Sequence, residues 1–148
     1  MSKIILIFGL PGSGKTTLAN KIFQKLENTN VINGDFIREK YNDWDFSEQG
    51  RIRQANRMNT LAKEAIANNR IVVADFVCPT EKTRKDFNAD YTIFMDTIKE
   101  GRYDDTNKMF EVPKDYDFRI EYFDATQWAF LIKRDILAKD LKVGVHDK

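Results

Sequence analysis

The stretch KIILIFGLPGSGKT, residues 3–16, decides how the rest of the chain is read. Its first six residues, KIILIF, form an almost continuous apolar run, the pattern of a strand buried on both faces of a parallel sheet. Residues 9–16 then match G-x-x-x-x-G-K-[ST], from Gly9 through Pro11, Gly12, Ser13 and Gly14 to Lys15 and Thr16. Leu18, Ile22 and Leu26 continue as a helical stripe. A glycine-rich loop between a buried strand and a helix N-terminus lets backbone N–H groups and the positive helix end face the same phosphate oxygens. In that pattern Lys15 reaches the β- and γ-phosphates and Thr16 holds Mg²⁺, with Thr17 beside it. ATP with magnesium is the expected ligand.

Outward from this unit, strands and helices alternate. Residues 30–33 (NVIN), 71–76 (IVVADF), 91–95 (YTIFM) and 117–123 (DFRIEYF) read as further strands. Ser47 is placed to cap a long helix with apolar positions at Ile52, Ala55, Met58, Ala62, Ala65 and Ile66, ending at Asn68-Asn69. Asp124 with Gln127 predicts a capping box opening the last helix. The expected fold is a single-domain α/β P-loop kinase over residues 1–148, with a five-stranded parallel sheet and helices on both faces. Its ligands belong at the C-terminal strand edge.

The 148 residues carry 24 Lys plus Arg against 23 Asp plus Glu, a net charge of +1, so no global field favours nucleic acid or an acidic membrane surface. The first apolar run is too short to span a membrane, and the single cysteine, Cys78, excludes an intrachain disulfide framework. A cytoplasmic protein is expected, acting on a small molecule; a homodimer stays open.

A switch GTPase would carry an N-K-x-D segment, but Asn20-Lys21 and Asn107-Lys108 both continue without the Asp. A small kinase remains, and it needs an acceptor site across the sheet edge from the P-loop. After the second strand comes NGDFIR, residues 33–38, in which Gly34 would turn the chain while Asp35 and Arg38 project toward the P-loop. There Asp35 can accept the proton of an attacking hydroxyl and lean on the Mg²⁺ shell, and Arg38 can neutralise an anionic acceptor. Arg51, in the first turns of the long helix, opposes the helix macrodipole unless an anion sits nearby. Phe46 either stacks on a base or packs as a staple against its own helix. Asp75, closing the run IVVA, reads as a Walker-B-type carboxylate holding Mg²⁺ through water. Cys78 reads as a small buried thiol. His146, in the C-terminal tail, reads as surface.

In this order and at these spacings, GLPGSGKTTLA, NGDFIR, FSEQGR and ADFVCP resemble the adenylylsulfate kinase family, known for D-G-D-N-x-R, F-S-x-x-D-R and A-S-F-I-S-P segments after its P-loop. The likeness runs from about residue 3 to 96, with FEVP at 110–113 similar to a Y-E-A-P segment on the family's adenine side. The resemblance implies ATP plus adenylylsulfate giving ADP plus 3′-phosphoadenylylsulfate, in sulfate assimilation. It places Asp35 near the 3′-hydroxyl and magnesium, and gives the phosphosulfate to Arg38 and Arg51. It also implies an acceptor adenine between Phe46 and Phe76, with Gln54 and Val77 in the same site and Phe110 and Pro113 over the ATP adenine.

The chain departs from that pattern at several points. Asn33 stands for the first acid of D-G-D, Phe36 for the following Asn, Gly50 for the acid before the arginine, and Gln54 for a later Asn. Asp75 and Cys78 replace the two serines. A lid and adenine loop at about 97–116 serves where the family carries a longer stretch, and Arg102 and Lys108 are its candidates to meet the transferring phosphoryl. Another small-molecule or polynucleotide 5′-hydroxyl kinase, and a non-catalytic ATP-binding module, are the alternatives.

Overall fold

The alternation seen in the sequence folds as a five-stranded, wholly parallel sheet of order β2-β3-β1-β4-β5 in a computed structural model, which describes residues 3–146 and side chains up to residue 139. The strands are β1 (Lys3–Gly9), β2 (Thr29–Asn33), β3 (Ile71–Asp75), β4 (Tyr91–Met95) and β5 (Phe118–Ile120). The helices are α1 (Lys15–Lys25), α2 (Gly34–Tyr41), α3 (Glu48–Ala67), α4 (Glu81–Phe87), α5 (Asp104–Met109) and α6 (Ala125–His146). His146, read above as surface, has its side chain outside the described residues.

β1 is central, and both of its faces are covered, which is why its apolar run is unbroken. Ile5 and Ile7 pack with Leu18 and Ile22 of α1 and Ile132 and Ile136 of α6. Ile4, Leu6 and Phe8 point the other way, onto Ala55, Met58 and Ala62 of α3 and Phe87 of α4. Among the described residues no helix is long and apolar enough to cross a membrane.

Three helices differ from the expectation. The Asn-Gly at 33–34 is not a turn: Asn33 caps α2, its Oδ1 accepting from the Phe36 N–H at 2.9 Å, and Gly34 is the first helical residue. Gly34 is required by proximity, since a Cβ there would lie 2.6 Å from Cβ of Phe76. α4 starts in a reciprocal Thr80–Thr83 box, a pairing of two threonines in place of the usual Glu or Gln. α5 arises inside the charged 97–116 loop. The Ser47 cap forms as expected, its side chain accepting from Gly50 N at 3.2 Å; of the expected Asp124–Gln127 box one arm is seen, Asp124 Oδ1 accepting from Gln127 N at 3.2 Å, while Gln127 Oε1 accepts from Tyr122 OH at 3.1 Å.

Candidate active site

The C-terminal ends of β1, β2 and β3 converge on one cavity of about 1010 Å³. Its floor is the glycine loop. Gly12 (φ +85°) and Gly14 (φ +97°) adopt the left-handed backbone that lets a loop wrap an anion. Lys15 turns its Nζ toward the carbonyl of Leu10 at 2.9 Å, and burial, opposed by Asp75 and Asp35 and reinforced by Arg102, pushes its pKa down to about 8.

The carboxylate of Asp75 is 2% exposed. Its Oδ1 accepts from Asn33 Nδ2 at 2.6 Å and Thr16 Oγ1 at 3.3 Å, while its Oδ2 is buried without a hydrogen-bond partner. Burial dominates here and pushes the acid up to about 6. A buried, unpartnered carboxylate oxygen beside the Thr16 hydroxyl is a donor set suited to a hard divalent cation. Asn33 and Asp75 are register partners across β2 and β3, so the acid missing at 33 and the acid gained at 75 face each other.

On the far side lie the residues expected for an acceptor. Asp35 is exposed and lines the cavity. Arg38 and Arg51 are each 5% exposed, an expensive placement for a guanidinium unless its N–H groups are satisfied. Arg38 Nη1 donates to the carbonyls of Asp43 and Asp45, at 2.9 and 3.1 Å. Arg51 Nε donates to Phe46 O at 3.0 Å and its Nη2 to Thr106 Oγ1 at 2.7 Å. Burial lowers both arginines from their ordinary range. The Phe46 ring lies against both guanidinium carbons, 4.4 Å from Arg38 and 5.3 Å from Arg51. It faces Trp44 at 6.4 Å. Phe46 therefore both lines the cavity and packs beside its own helix, against Arg51.

Of the sequence-predicted site residues, all line this cavity except Gly9, Ser13, Lys108, Phe110 and Pro113. Gly9 and Ser13 are buried beneath the loop, where a Cβ at Gly9 would lie 2.7 Å from Met95 O. The expectation for Phe110 and Pro113 needs correcting. Phe110 stacks on Phe94 at 6.1 Å and lies under the Arg84 guanidinium at 5.1 Å, which holds the 97–116 segment to the core, and Pro113 is buried. Arg84 fixes the same segment by donating to Glu111 O at 2.6 Å. Gln54 lines the cavity, yet its amide is spent inside the protein: Nε2 donates to Gly34 O at 2.9 Å and Oε1 accepts from Arg57 at 3.3 Å. Lys108 does not line the cavity; Arg102 does.

Sequence reasoning missed the wall after β5. Tyr122, Phe123 and Trp128 line the cavity beside the glycine loop, where a Cβ at Gly14 would meet the Phe123 ring at 3.2 Å. Their signal was positional: they follow a parallel strand at its C-terminal edge, next to the P-loop.

With this geometry in view, a family model for adenylylsulphate kinase matches residues 1–117. The adenylyl-sulfate kinase of Bacillus pumilus is 34% identical over 89 residues, covering 57% of this chain and 45% of that protein. That of Prochlorococcus marinus is 41% identical over 93 residues, covering 57% and 46%. The matched chain thus spans about half the length of these curated relatives. Among solved structures, the Mycobacterium tuberculosis APS kinase in complex with AMPPNP and APS superposes with a TM-score of 0.71 at 21% identity, covering 93% of this chain and 98% of that one. Shikimate kinase from Acinetobacter baumannii superposes at 0.63 with 18% identity, covering 95% of this chain and 96% of that one. At these identities the structures speak for the fold.

Proposed function

The chain belongs to the adenylylsulphate kinase family, and on that premise we propose that it is an ATP-dependent kinase moving the γ-phosphoryl group to the 3′-hydroxyl of adenylylsulfate. One observation carries this reading: a single cavity runs from the glycine loop to a Phe46 ring flanked by two buried arginines. The donor end suits a triphosphate, and the far end suits an anionic ligand bearing a base.

In this reading residues 1–148 act as one kinase domain and the 97–116 segment is its lid. Lys15 and the loop N–H groups hold the β- and γ-phosphates. Thr16 and Asp75 would hold Mg²⁺, with Asp35 near its shell, and a bound ion would supply charge neutralisation for the transferring phosphoryl. Asp35 accepts the proton of the 3′-hydroxyl as its oxygen bonds to the γ-phosphorus, while the bond from that phosphorus to the β–γ bridging oxygen breaks and ADP leaves. Arg38 and Arg51 hold the phosphosulfate, and their backbone tethers keep them aimed before the ligand arrives. Phe46, with Phe76 and Val77 from the end of β3, borders the acceptor base. Phe123 and Trp128 offer the ATP base a wall that Phe110 and Pro113 do not.

A second reading, a kinase for another small hydroxyl acceptor, is favoured by one observation: both amide ends of Gln54, which stands where the family has an acceptor-contacting Asn, are engaged within the protein. The deciding experiment is ADP release from Mg-ATP with and without adenylylsulfate, with direct detection of the product. Adenylylsulfate-dependent ADP matched by 3′-phosphoadenylylsulfate is expected. Intact ATP binding without stimulation would overturn the first reading and send the search to other hydroxyl compounds.

A further inference from the structure

We infer that Thr106 is a positioning residue of the acceptor site, acting through Arg51 and tying the lid to the acceptor wall. This rests on the reading of Arg51 as an acceptor-binding cation. Thr106 sits in α5, is 4% exposed, and receives Arg51 Nη2 at 2.7 Å across 55 positions of sequence. That hydrogen bond accounts for the burial of a threonine in a short helix of composition DDTNKM. Arg51 has two directions open to it. On one side is the main cavity, with Asp105 and Thr106 beside it. On the other is a hollow of about 180 Å³ lined by Glu48, Lys82, Thr83 and Glu111, so two carboxylates border the space behind the guanidinium. A guanidinium that borders two spaces, with Asp105 on the cavity side and Glu48, Glu111 and Lys82 around the hollow, needs a fixed partner to set which way it faces, and Thr106 Oγ1 is that partner on the cavity side. Arg51 Nε is already anchored to Phe46 O at 3.0 Å, so the second bond, at Nη2, sets the rotation of the guanidinium plane.

The placement has a functional consequence. Thr106 belongs to the same loop as Arg102, whose neighbour Gly101 is clasped by Asn107 through two hydrogen bonds, at 2.8 and 3.1 Å, and approaches Pro11 of the glycine loop. The lid therefore touches the donor loop at Gly101 and the acceptor wall at Thr106. Occupancy of Arg51 by an anion and the position of α5 become one equilibrium.

The test compares wild type with Thr106→Val, which keeps the shape but removes the acceptor oxygen, and Thr106→Ser, which keeps it. Acceptor KM and kcat are measured with adenylylsulfate, and the Kd of a non-hydrolysable ATP analogue separately. Thr106→Val is expected to raise the acceptor KM about tenfold, with kcat and analogue affinity little changed, and Thr106→Ser to restore KM. An unchanged KM in Thr106→Val overturns the inference. So does a parallel loss of acceptor and nucleotide binding that serine does not rescue, because that is plain structural damage. Should wild type fail to phosphorylate adenylylsulfate, the functional reading falls while the inference is decided by the Arg51 side-chain ¹H–¹⁵N signals. Slow exchange in wild type and Thr106→Ser but not in Thr106→Val supports it; identical exchange in all three overturns it.

Discussion

The donor end and the acceptor end of the cavity are built on different principles. At the donor end the constraint is local: eight consecutive residues, with Gly12 and Gly14 in left-handed backbone and the Lys15 side chain folded over the loop, form the cradle proposed for the phosphates. At the proposed acceptor end the cations are two buried side chains held by other residues: the nearby carbonyls of Asp43 and Asp45 for Arg38, and the nearby carbonyl of Phe46 with the distant hydroxyl of Thr106 for Arg51. A backbone site tolerates change around it and fails when its own residues change. A side-chain site of this kind fails when its supports change, so substitutions that never touch the ligand are expected to separate the two ends.

The sharpest separation is expected from Asp35→Ala. With Asp35 as proton acceptor, acceptor-dependent ADP release falls by about 10²–10⁴-fold, while ATP binding survives because no hydrogen bond of the glycine loop involves Asp35. Single-turnover assays beside ATP titrations would show this. Equal loss of both would mean that Asp35 belongs to the donor end.

Gly50→Asp attacks the acceptor end through its support. It restores the acid that the related family carries before its arginine, yet here a Cβ at 50 would lie 2.0 Å from Asp45 O and 2.6 Å from Asp45 Cγ. The 43–46 segment has closed onto the first turn of α3, and that closure delivers the carbonyls of Asp43, Asp45 and Phe46 to the two arginines. The substitution should cost about 1–3 kcal/mol or more through overpacking. It should raise acceptor KM and lower Tm while sparing ATP affinity. A neutral melting curve would mean that the loop is not fixed as described.

How much of this was legible follows the same divide. β1, the glycine loop and α1 were readable because a buried parallel strand, a phosphate motif and a helical stripe are all local patterns. The Ser47 cap was readable for the same reason. α2 was hidden because Asn-Gly is also a turn signal, and only the 2.6 Å approach of position 34 to Phe76 distinguishes a crowded helix start from a flexible turn. α5 was hidden because DDTNKM has no apolar stripe; its burial comes from an arginine 55 positions away. Phe110 misled in the other direction. Its likeness to an adenine-side segment said nothing about Phe94 and Arg84, both of which pack against its ring.

The metal-facing pair sits between the two ends and is expected to show a smaller, coupled effect. Asn33 Nδ2 and Asp75 Oδ1 are 2.6 Å apart on register-paired residues. Asp75→Asn removes the buried carboxylate of Asp75 and should weaken magnesium-dependent ATP binding about tenfold, the scale of one lost charge-assisted contact. Asn33→Asp brings a second carboxylate against the first, where like charges cannot both ionise cheaply. The double change moves the acid across the strands and keeps the cap on α2, since Asp caps as well as Asn. It should recover much of the binding, with a coupling energy of about 1–2 kcal/mol. Additive losses in Mg²⁺ titrations would show that only position 75 can carry the charge.

The smallest effect is expected at Cys78, where a cavity-lining residue stands in place of the family's serine and yet takes no part in the chemistry. The thiol is 1% exposed, and burial pushes it up to about 12, with Thr83 and Arg84 offsetting only part of the cost. At pH 8 its thiolate fraction is then about 10³-fold below that of a free thiol with pKa ~8.5. Native protein should therefore resist iodoacetamide and keep its rate, whereas denaturant should expose one reactive thiol. Cys78→Ser exchanges a poorly solvated thiol for a hydroxyl that can pair with Thr83, and a stability change within about 1.5 kcal/mol is expected. Rapid alkylation of the folded protein with loss of acceptor binding would sink this reading. It would mean that the end of β3, the point where donor and acceptor ends meet, opens to solvent, and that the two ends share a moving part at residue 78 as well as at Thr106.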